Sequence, residues 1–235
     1  MKTEEKKTEK NTVLIVTSFV DGAEALPAEA LDAASFDAVI CADGGLKWAK
    51  RLGIPLSEKK TTLIGDYDSM EQPVAEKGTL ILLPREKDMT DTEAALDLAL
   101  RSGYKEIRIL GGLGGRFDHS MGNIGLLCKA METGASVTME DGYNKVFLLK
   151  PGNYTLEKGR FTYFSLIAYG GPVTGLSLSG AKYWLHNHTL PYDTTLGVSN
   201  EVEEGYDAAE ISFQEGILLV IQSNKTQMNA ALAMI

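Results

Sequence analysis

The feature that most constrains this chain is a series of acidic clusters, each following a short apolar run beside glycine, serine or threonine. The clusters are Asp43 before two glycines, Asp66 with Asp68, and Asp88 with Asp91. Because the apolar runs alternate with helical segments, they predict parallel strands whose carboxyl ends share one edge of a sheet. Carboxylates gathered at that edge indicate a divalent metal held under a polyphosphate.

The first part of the chain alternates between strand and helix patterns. Strands are predicted at 13–18, 38–42, 61–64, 79–83 and 107–110. Helices are predicted at 28–34, at 46–52, from Thr90 to Gly103, and at 118–131. We therefore predict an α/β domain over residues 12–145, with a Rossmann-like, mainly parallel sheet and helices on both faces.

From about residue 135 the pattern changes to strands without convincing helices between them. The strands are predicted at 137–139, 146–149, 160–168, 211–213 and 218–222, separated by turns rich in glycine, asparagine and proline. This pattern predicts a C-terminal all-β sandwich over residues 146–235. The Lys- and Glu-rich residues 1–11 are expected to form a disordered tail.

Composition removes several classes of function. The net charge of −9 argues against a broad nucleic-acid surface, which needs clustered Lys and Arg. No apolar run reaches the ~20 residues of a membrane-spanning helix, so no membrane partner is expected. Cys41 and Cys128 lack metal-ligand spacing and are interpreted as buried free thiols, which favours a cytoplasmic location.

Asp66 and Asp68 follow the strand at 61–64 with one residue between them. In an extended segment this spacing points both carboxylates the same way, and two hard oxygen ligands suit Mg²⁺. The alternative is an Asp-rich turn in which the side chains bond their own backbone.

The segment at residues 90–93 has the pattern of a helix capping box, with Thr90 as the cap and Glu93 as its partner. Asp91 in the first turn is then favoured by the helix dipole, or it is a third metal ligand. The capping pattern leaves Lys87 and Asp88, just upstream, unexplained.

A glycine-rich segment at residues 111–115 lies between a strand and a helix, where backbone N–H groups can bind phosphate. It is neither a Walker A motif nor a complete G-x-G-x-x-G. Arg116 strengthens the phosphate interpretation because its guanidinium is a permanent bidentate donor. The alternative interpretation of Asp118, and also of Asp43, is that each caps the helix that follows it. The alternative for His119 is an ordinary surface residue.

The β-rich half offers Tyr183, Ser199 and Asn200 near turns. Aromatic residues in strands usually belong to the core. A pocket for a flat heterocycle would nevertheless need such a ring together with small polar partners.

In chain order, these segments resemble the thiamine pyrophosphokinase family. The match comprises D-G-G, G-D-x-D-S, K-D-x-T-D-x-E-x-A, G-G-x-G-G-R-x-D-H with Asn123 following, and a late S-N pair. The resemblance implies transfer of a pyrophosphoryl group from ATP to the thiamine hydroxyl, giving thiamine diphosphate and AMP. It also implies an ATP-binding α/β domain, a thiamine-binding β domain, and a homodimer with its active site at the interface.

Carried over by position, the resemblance assigns a role to each matching residue. The Mg²⁺ carboxylates, which with Arg116 form the catalytic set, would be Asp66, Asp68 and Asp91. The ATP-binding residues would be Asp43, Lys87, Thr90, Arg116, Asp118 and His119. Ser199, Asn200 and Tyr183 would contact thiamine, although Ala181 stands where the family usually has leucine.

Two other functions stay open at the level of the sequence. One is pyrophosphoryl transfer to a different hydroxymethyl heterocycle, such as a pterin, and the other is a non-catalytic nucleotide sensor. A dinucleotide oxidoreductase is disfavoured because the glycine fingerprint is incomplete and no ribose-binding acid follows ~20 residues on. The sequence does not identify the group that accepts the hydroxyl proton.

Overall fold

The computed structural model describes residues 11–27, 32, 35–57, 60–66 and 78–224. The chain divides into two compact units, Met1–Val137 and Thr138–Ile235. Each unit has its own cluster of buried apolar side chains. The predicted helix at 28–34 lies almost wholly outside the described residues, as do residues 1–10 of the predicted tail.

The first unit alternates strands and helices as predicted. Its elements are β1 Thr12–Val16, β2 Ala38–Ala42, α1 Gly45–Arg51, β3 Thr61–Gly65, β4 Thr79–Leu82, α2 Asp91–Arg101, β5 Glu106–Leu110 and α3 Phe117–Glu132. The five strands lie in the order β4-β3-β2-β1-β5, and every pair is parallel. Leu14, Val16, Val39, Cys41 and Leu63 alternate along their strands into one buried cluster.

The strand order reverses direction once. From β1 to β4 the chain moves steadily towards one edge of the sheet, and α2 then carries it back to place β5 on the other side of β1. In open parallel sheets, ligands bind beyond the carboxyl ends of the strands, next to such a reversal. The loops that follow β1 to β5 are therefore the part of this unit in which a site is expected.

The second unit contains only strands among its described residues. They are β6 Ser136–Glu140, which spans the division, then β7 Asn144–Leu149, β8 Gly152–Glu157, β9 Tyr163–Ala168, β10 Val173–Ser179, β11 Leu185–Leu190, β12 Ala208–Phe213 and β13 Leu218–Ser223. One antiparallel set runs β6-β7-β13-β9 and the other β11-β10-β12-β8. Leu166 and Val220 from the first set share a core with Leu178 and Ile211 from the second.

The structure differs from the sequence predictions at two boundaries. The units divide at 137/138 rather than 145/146, because β7 pairs antiparallel with β6 and the antiparallel part begins a strand earlier. Asn11, predicted to lie in the tail, is held in the first unit: its side chain donates to the Gly103 carbonyl at 2.9 Å, and its own carbonyl accepts from Glu106.

Both cysteines are free thiols, as predicted, but only one is fully buried. Cys41 lies in β2 without exposed surface, and this burial raises the pKa of its thiol to about 12. Cys128 in α3 is half-buried, so its predicted burial is only partial. No described helix is long and apolar enough to cross a membrane.

Candidate active site

Four ionisable side chains of the first unit follow neighbouring parallel strands at their carboxyl ends. Asp43 follows β2, Asp66 follows β3, and Lys87 and Asp91 follow β4. The register of β2, β3 and β4 aligns these ends, because Ala42 pairs with Ile64 and Gly65 with Leu82. The charges of Asp66 and Asp43 both act on the pKa of Asp91, so the structure brings these three of the predicted acidic residues together at this edge.

Lys87 lies between two of the carboxylates. Its Nζ is 2.9 Å from Oδ2 of Asp66 and 3.3 Å from Oδ1 of Asp91, and all three side chains are largely buried. Burial tends to lower the pKa of Lys87, but the hydrogen bond to Asp66 and the charge of Asp91 raise it overall. Burial raises the pKa of Asp91, aided by Asp66 and Asp43 and opposed by Lys87.

Two carboxylate oxygens of this cluster are buried without a hydrogen bond from the described residues. They are Oδ1 of Asp43 and Oδ1 of Asp91, the second of which has only its ion pair with Lys87. A buried acceptor left without a hydrogen bond costs roughly 1–3 kcal/mol, so such atoms are uncommon away from binding sites. We refer to Asp43, Asp66, Lys87 and Asp91 as the carboxylate cluster.

Asp43 has an unusual backbone as well as a buried oxygen. Its φ of 47° lies in the left-handed region, which costs a non-glycine residue roughly 1 kcal/mol or more. The helix cap of α1 is Gly44 rather than Asp43, so the alternative interpretation of Asp43 as a cap is wrong. Gly65 on β3 permits the close approach, because a Cβ there would lie 3.0 Å from the Asp43 Cα.

Asp68 lies outside the described residues, so the predicted trio of metal carboxylates stays a prediction. Among the residues that the structure describes, no group of three or more His, Cys, Asp or Glu side chains is arranged to hold a metal ion. In the carboxylate cluster the ammonium of Lys87 takes the place between Asp66 and Asp91.

Thr90 is the N-cap of α2, as its sequence pattern predicts. Its hydroxyl oxygen accepts a hydrogen bond from the Glu93 backbone N–H at 3.1 Å. In a full capping box the side chain of Glu93 would also accept a hydrogen bond from the backbone N–H of Thr90. Here the Glu93 carboxylate instead accepts a hydrogen bond from Nζ of Lys129 at 2.9 Å. The cap fixes the first turn of the helix and with it the position of Asp91.

We expect Thr90→Ala to lower the free energy of unfolding by about 1 kcal/mol, because the Glu93 N–H loses its partner. Urea unfolding followed by circular dichroism measures the difference. Thr92→Ala is the matched control, since Thr92 lies inside the same first turn and caps nothing. Equal stability of the two variants would contradict the role of the cap.

The glycine-rich loop after β5 is fixed by backbone conformation and by two side chains. Four of its glycines have positive φ, between 62° and 90°. The Thr17 hydroxyl donates to the carbonyl of Phe19 at 3.0 Å or of Leu110 at 3.2 Å, and the Asn123 amide donates to the Gly112 carbonyl at 2.8 Å. No sequence pattern indicates the role of Thr17, and Asn123 is indicated only by its place in the motif that includes the glycine-rich segment.

Arg116, Asp118 and His119 are exposed at the start of α3. Arg116 is 73% exposed and its Nη2 lies 2.5 Å from Oδ2 of Asp118. This ion pair holds the pKa of Asp118 below its usual range. The helix cap is Arg116, with Asp118 in the first turn, so the interpretation of Asp118 as the cap is wrong. The two charged side chains neutralise each other here.

In the second unit, the three predicted acceptor residues have different environments. Tyr183 is exposed, while Asn200 is only 7% exposed. The Asn200 amide donates to the Tyr183 carbonyl at 2.8 Å, and its oxygen accepts from the N–H groups of Tyr183 and Glu201. Ser199 has a left-handed φ of 61° and donates its N–H to the Ser165 hydroxyl. Asn200 therefore holds the Tyr183 segment in place.

Two protein-family models match the chain. The thiamin pyrophosphokinase catalytic domain matches residues 31–139, and the thiamin pyrophosphokinase vitamin B1 binding domain matches residues 153–218. Among curated proteins, the thiamine pyrophosphokinase of Bacillus subtilis is 38% identical over 165 residues, which cover 68% of this chain and 76% of that protein.

The chain is also similar to solved thiamine pyrophosphokinase structures, over nearly its whole length. The crystal structure of thiamine pyrophosphokinase from Bacillus subtilis covers 92% of this chain and 100% of its own, with 30% identity and a TM-score of 0.77. That of a thiamin pyrophosphokinase family protein from Enterococcus faecalis has the same coverage, 32% identity and a TM-score of 0.78.

Proposed function

This chain belongs to the thiamin pyrophosphokinase family, and we propose that its carboxylate cluster is where ATP is activated. The reaction transfers the pyrophosphoryl group of ATP to the hydroxyl of thiamine and gives thiamine diphosphate and AMP. The observation that carries the proposal is the buried Oδ1 of Asp43, which makes no hydrogen bond to the described residues, beside Asp91, whose buried Oδ1 has only the ammonium of Lys87 as a partner.

The donor atoms of the cluster fit Mg²⁺, which prefers carboxylate oxygens and keeps part of its shell for water and phosphate. Asp66 and Asp91, with Asp68 from the same motif, would hold the ion. When bound, it neutralises negative charge on the phosphate groups.

The reaction itself forms one bond and breaks another. The thiamine oxygen attacks the β-phosphorus of ATP, the bond from that phosphorus to the α–β bridging oxygen breaks, and AMP leaves with the electron pair. The hydroxyl proton passes to a general base. Since little covalent chemistry is left to the protein, positioning and charge stabilisation supply most of the catalysis.

Several side chains and backbone groups of the first unit suit the phosphate groups. Lys87 carries a full charge, and phosphate oxygens can replace its carboxylate partners. The glycine-rich loop presents backbone N–H groups. Arg116 follows this loop in the chain, and its ion pair with Asp118 is exposed, so breaking that pair to bind phosphate costs little free energy. Thr90 and His119 lie at the starts of the two following helices.

The second unit supplies the acceptor residues in this proposal. Tyr183 offers an exposed ring and Ser199 a hydroxyl, while Asn200 acts by holding the segment that carries Tyr183. The core shared by the two antiparallel sets of strands supports the predicted sandwich, and the parallel strand order with one reversal supports the Rossmann-like first domain. The free thiols support a cytoplasmic location.

We also propose that the chain forms a homodimer in which the active site lies at the interface. Exposed apolar side chains on each unit support it: Phe117 and Met121 on α3 of the first, and Tyr192, Leu196 and Val198 of the second. Light scattering should give a mass near twice 25.5 kDa. A mass that stays at 25.5 kDa at micromolar concentration would contradict the dimer.

The test of the function is the identity of the nucleotide product. Purified protein incubated with ATP, Mg²⁺ and thiamine should release AMP in equal amount to thiamine diphosphate, and no ADP. A hydroxymethylpterin in place of thiamine is the parallel arm. AMP with the pterin alone would assign a different acceptor, and ATP binding without product would indicate a sensor.

A further inference from the structure

A short segment after β1, residues 17–20, contacts two parts of the proposed site at once. On one side it lies against the turn that carries Asp43. There the Trp48 indole N–H donates to the Ser18 carbonyl at 2.8 Å, and a Cβ on Gly44 would lie 3.3 Å from the Ser18 Cβ. On the other side it lies against the glycine-rich loop. We refer to residues 17–20 as the bridging segment.

The contact between the bridging segment and the glycine-rich loop is made by backbone atoms. The Phe19 carbonyl accepts a hydrogen bond from the Gly112 N–H at 3.1 Å. The Thr17 N–H donates to the Leu110 carbonyl at 3.0 Å, which prolongs the pairing of β1 with β5. At Gly111 an added Cβ would lie 2.2 Å from the Phe19 oxygen and 2.4 Å from the Thr17 hydroxyl. The two loops therefore approach more closely than a side chain at Gly111 would permit.

The side chain of Thr17 holds this contact from inside the protein. Thr17 is only 2% exposed, and its hydroxyl donates to the Phe19 carbonyl at 3.0 Å or to the Leu110 carbonyl at 3.2 Å. The first carbonyl belongs to the bridging segment, and the second lies at the end of β5, where the glycine-rich loop begins. Residues 13–16 before it are all apolar, so valine would continue the strand with the same shape. What Thr17 adds is a hydroxyl link between the two loops.

Both neighbours of the bridging segment contact one ligand in the proposed function. Asp43 belongs to the carboxylate cluster, and the glycine-rich loop offers its backbone N–H groups to the phosphate oxygens of ATP. The distance between these two parts must therefore match a single polyphosphate chain. In a site of this kind a displacement of about 1 Å can lower the rate ~100-fold. Because the bridging segment lies against both parts, its position sets the distance between them.

We propose that Thr17 is a positioning residue for the phosphate groups of ATP. Its hydroxyl fixes the bridging segment, and the bridging segment fixes the glycine-rich loop relative to the carboxylate cluster. Thr17 acts through these backbone contacts and not by touching phosphate, since its own side chain is buried. The inference rests on the proposed function, which supplies ATP as the ligand. The proposed acceptor residues belong to the second unit, so the use of thiamine should not depend on Thr17.

The test compares Thr17→Val, which removes the hydroxyl, with Thr17→Ser, which keeps it. Calorimetric titration with ATP and Mg²⁺, without thiamine, should give a Kd about 10-fold higher for Thr17→Val. Its kcat/KM for ATP should fall ~100-fold, while the KM for thiamine should stay within about 2-fold of the parent value. Thr17→Ser should keep all three values near those of the parent. An unchanged Kd for ATP in Thr17→Val overturns the proposal, and so does an equal loss in both variants.

If Thr17→Val is insoluble, Thr17→Ala and Thr17→Ser make the same comparison, because they too differ only in the hydroxyl. Thr12→Val is the matched control at the other end of β1. The Thr12 hydroxyl donates to the Ser35 carbonyl at 3.1 Å or to the Asp37 carboxylate at 3.4 Å. Its loss should lower the thermal midpoint and leave the Kd for ATP unchanged.

A loss of ATP affinity in Thr12→Val equal to that in Thr17→Val would make general destabilisation the cause and overturn the proposal. Failure of the unsubstituted protein to form AMP from ATP and thiamine would instead refute the proposed function. The two failures are distinguishable because the ATP titration is measured without turnover.

Discussion

Asp91→Asn should lower turnover of ATP and thiamine at least ~1,000-fold, which corresponds to about 4 kcal/mol of transition-state stabilisation. The substitution keeps the shape of the side chain but removes a charge from the carboxylate cluster. Asp91 has a buried oxygen without a hydrogen bond and an ion pair with Lys87, so its charge is part of the proposed metal and phosphate site. Steady-state release of AMP measures the loss.

The fold should survive this substitution, because the cap of α2 is Thr90 and not Asp91. Circular dichroism and thermal unfolding check this, and Mn²⁺ binding without thiamine gives a readout that does not depend on turnover. Asp97→Asn is the matched control: it lies on the same helix and pairs with Lys129, away from the cluster. Near-normal turnover by Asp91→Asn would refute the proposed site.

Gly45→Ala should destabilise the protein by about 3 kcal/mol or more, the largest effect that we expect from adding one methyl group. An added Cβ would lie 2.0 Å from the Val16 carbonyl oxygen and 2.8 Å from its carbon. Both atoms are backbone at the end of β1, which pairs with β2 on one side and β5 on the other, so they cannot rotate away. Urea unfolding measures the loss, unless the variant is insoluble.

Gly122→Ala is the control for this variant, because it makes the same chemical change inside a helix. Apart from its chain neighbours and the backbone of its own helix, no atom of the described residues lies within 4 Å of the position that its Cβ would take. Alanine has the higher helix propensity, so stability should rise by up to ~1 kcal/mol. If both variants lose stability alike, the close approach of α1 to β1 is not the cause.

The sequence predicted every described strand of the first unit to within a few residues. Buried parallel strands have continuous apolar runs, as in residues 13–16. The helices between them are recognisable because their apolar residues recur every three or four positions. Three strands of the second unit, β8, β10 and β11, were missed. These strands contain too many polar residues to form a recognisable apolar run. Asn153 and Thr155 are exposed in β8, and serines and histidines lie between the apolar residues of β10 and β11.

For the candidate site, the sequence indicates the types of residue and their positions on the strands but not the contacts between their side chains. Proximity of Asp43, Asp66 and Asp91 follows from parallel strands sharing an edge, which sequence can suggest. That Lys87 takes the place between two of them depends on side-chain conformation and burial, which no spacing encodes. Likewise, Asn200 matches a ligand-contact motif in the sequence. Only the structure shows that its side-chain amide is hydrogen-bonded to the backbone N–H and carbonyl of Tyr183.

The reversal of strand order in the first unit bears on how the chain folds as it is synthesised. β1 is made first and pairs with β2 on one side, yet its other neighbour, β5, follows roughly ninety residues later. Until then, the apolar residues Val13 and Ile15 lie on a strand with one open edge. Such an edge is prone to pairing with the wrong chain, so the interval before β5 emerges from the ribosome is when aggregation is most expected.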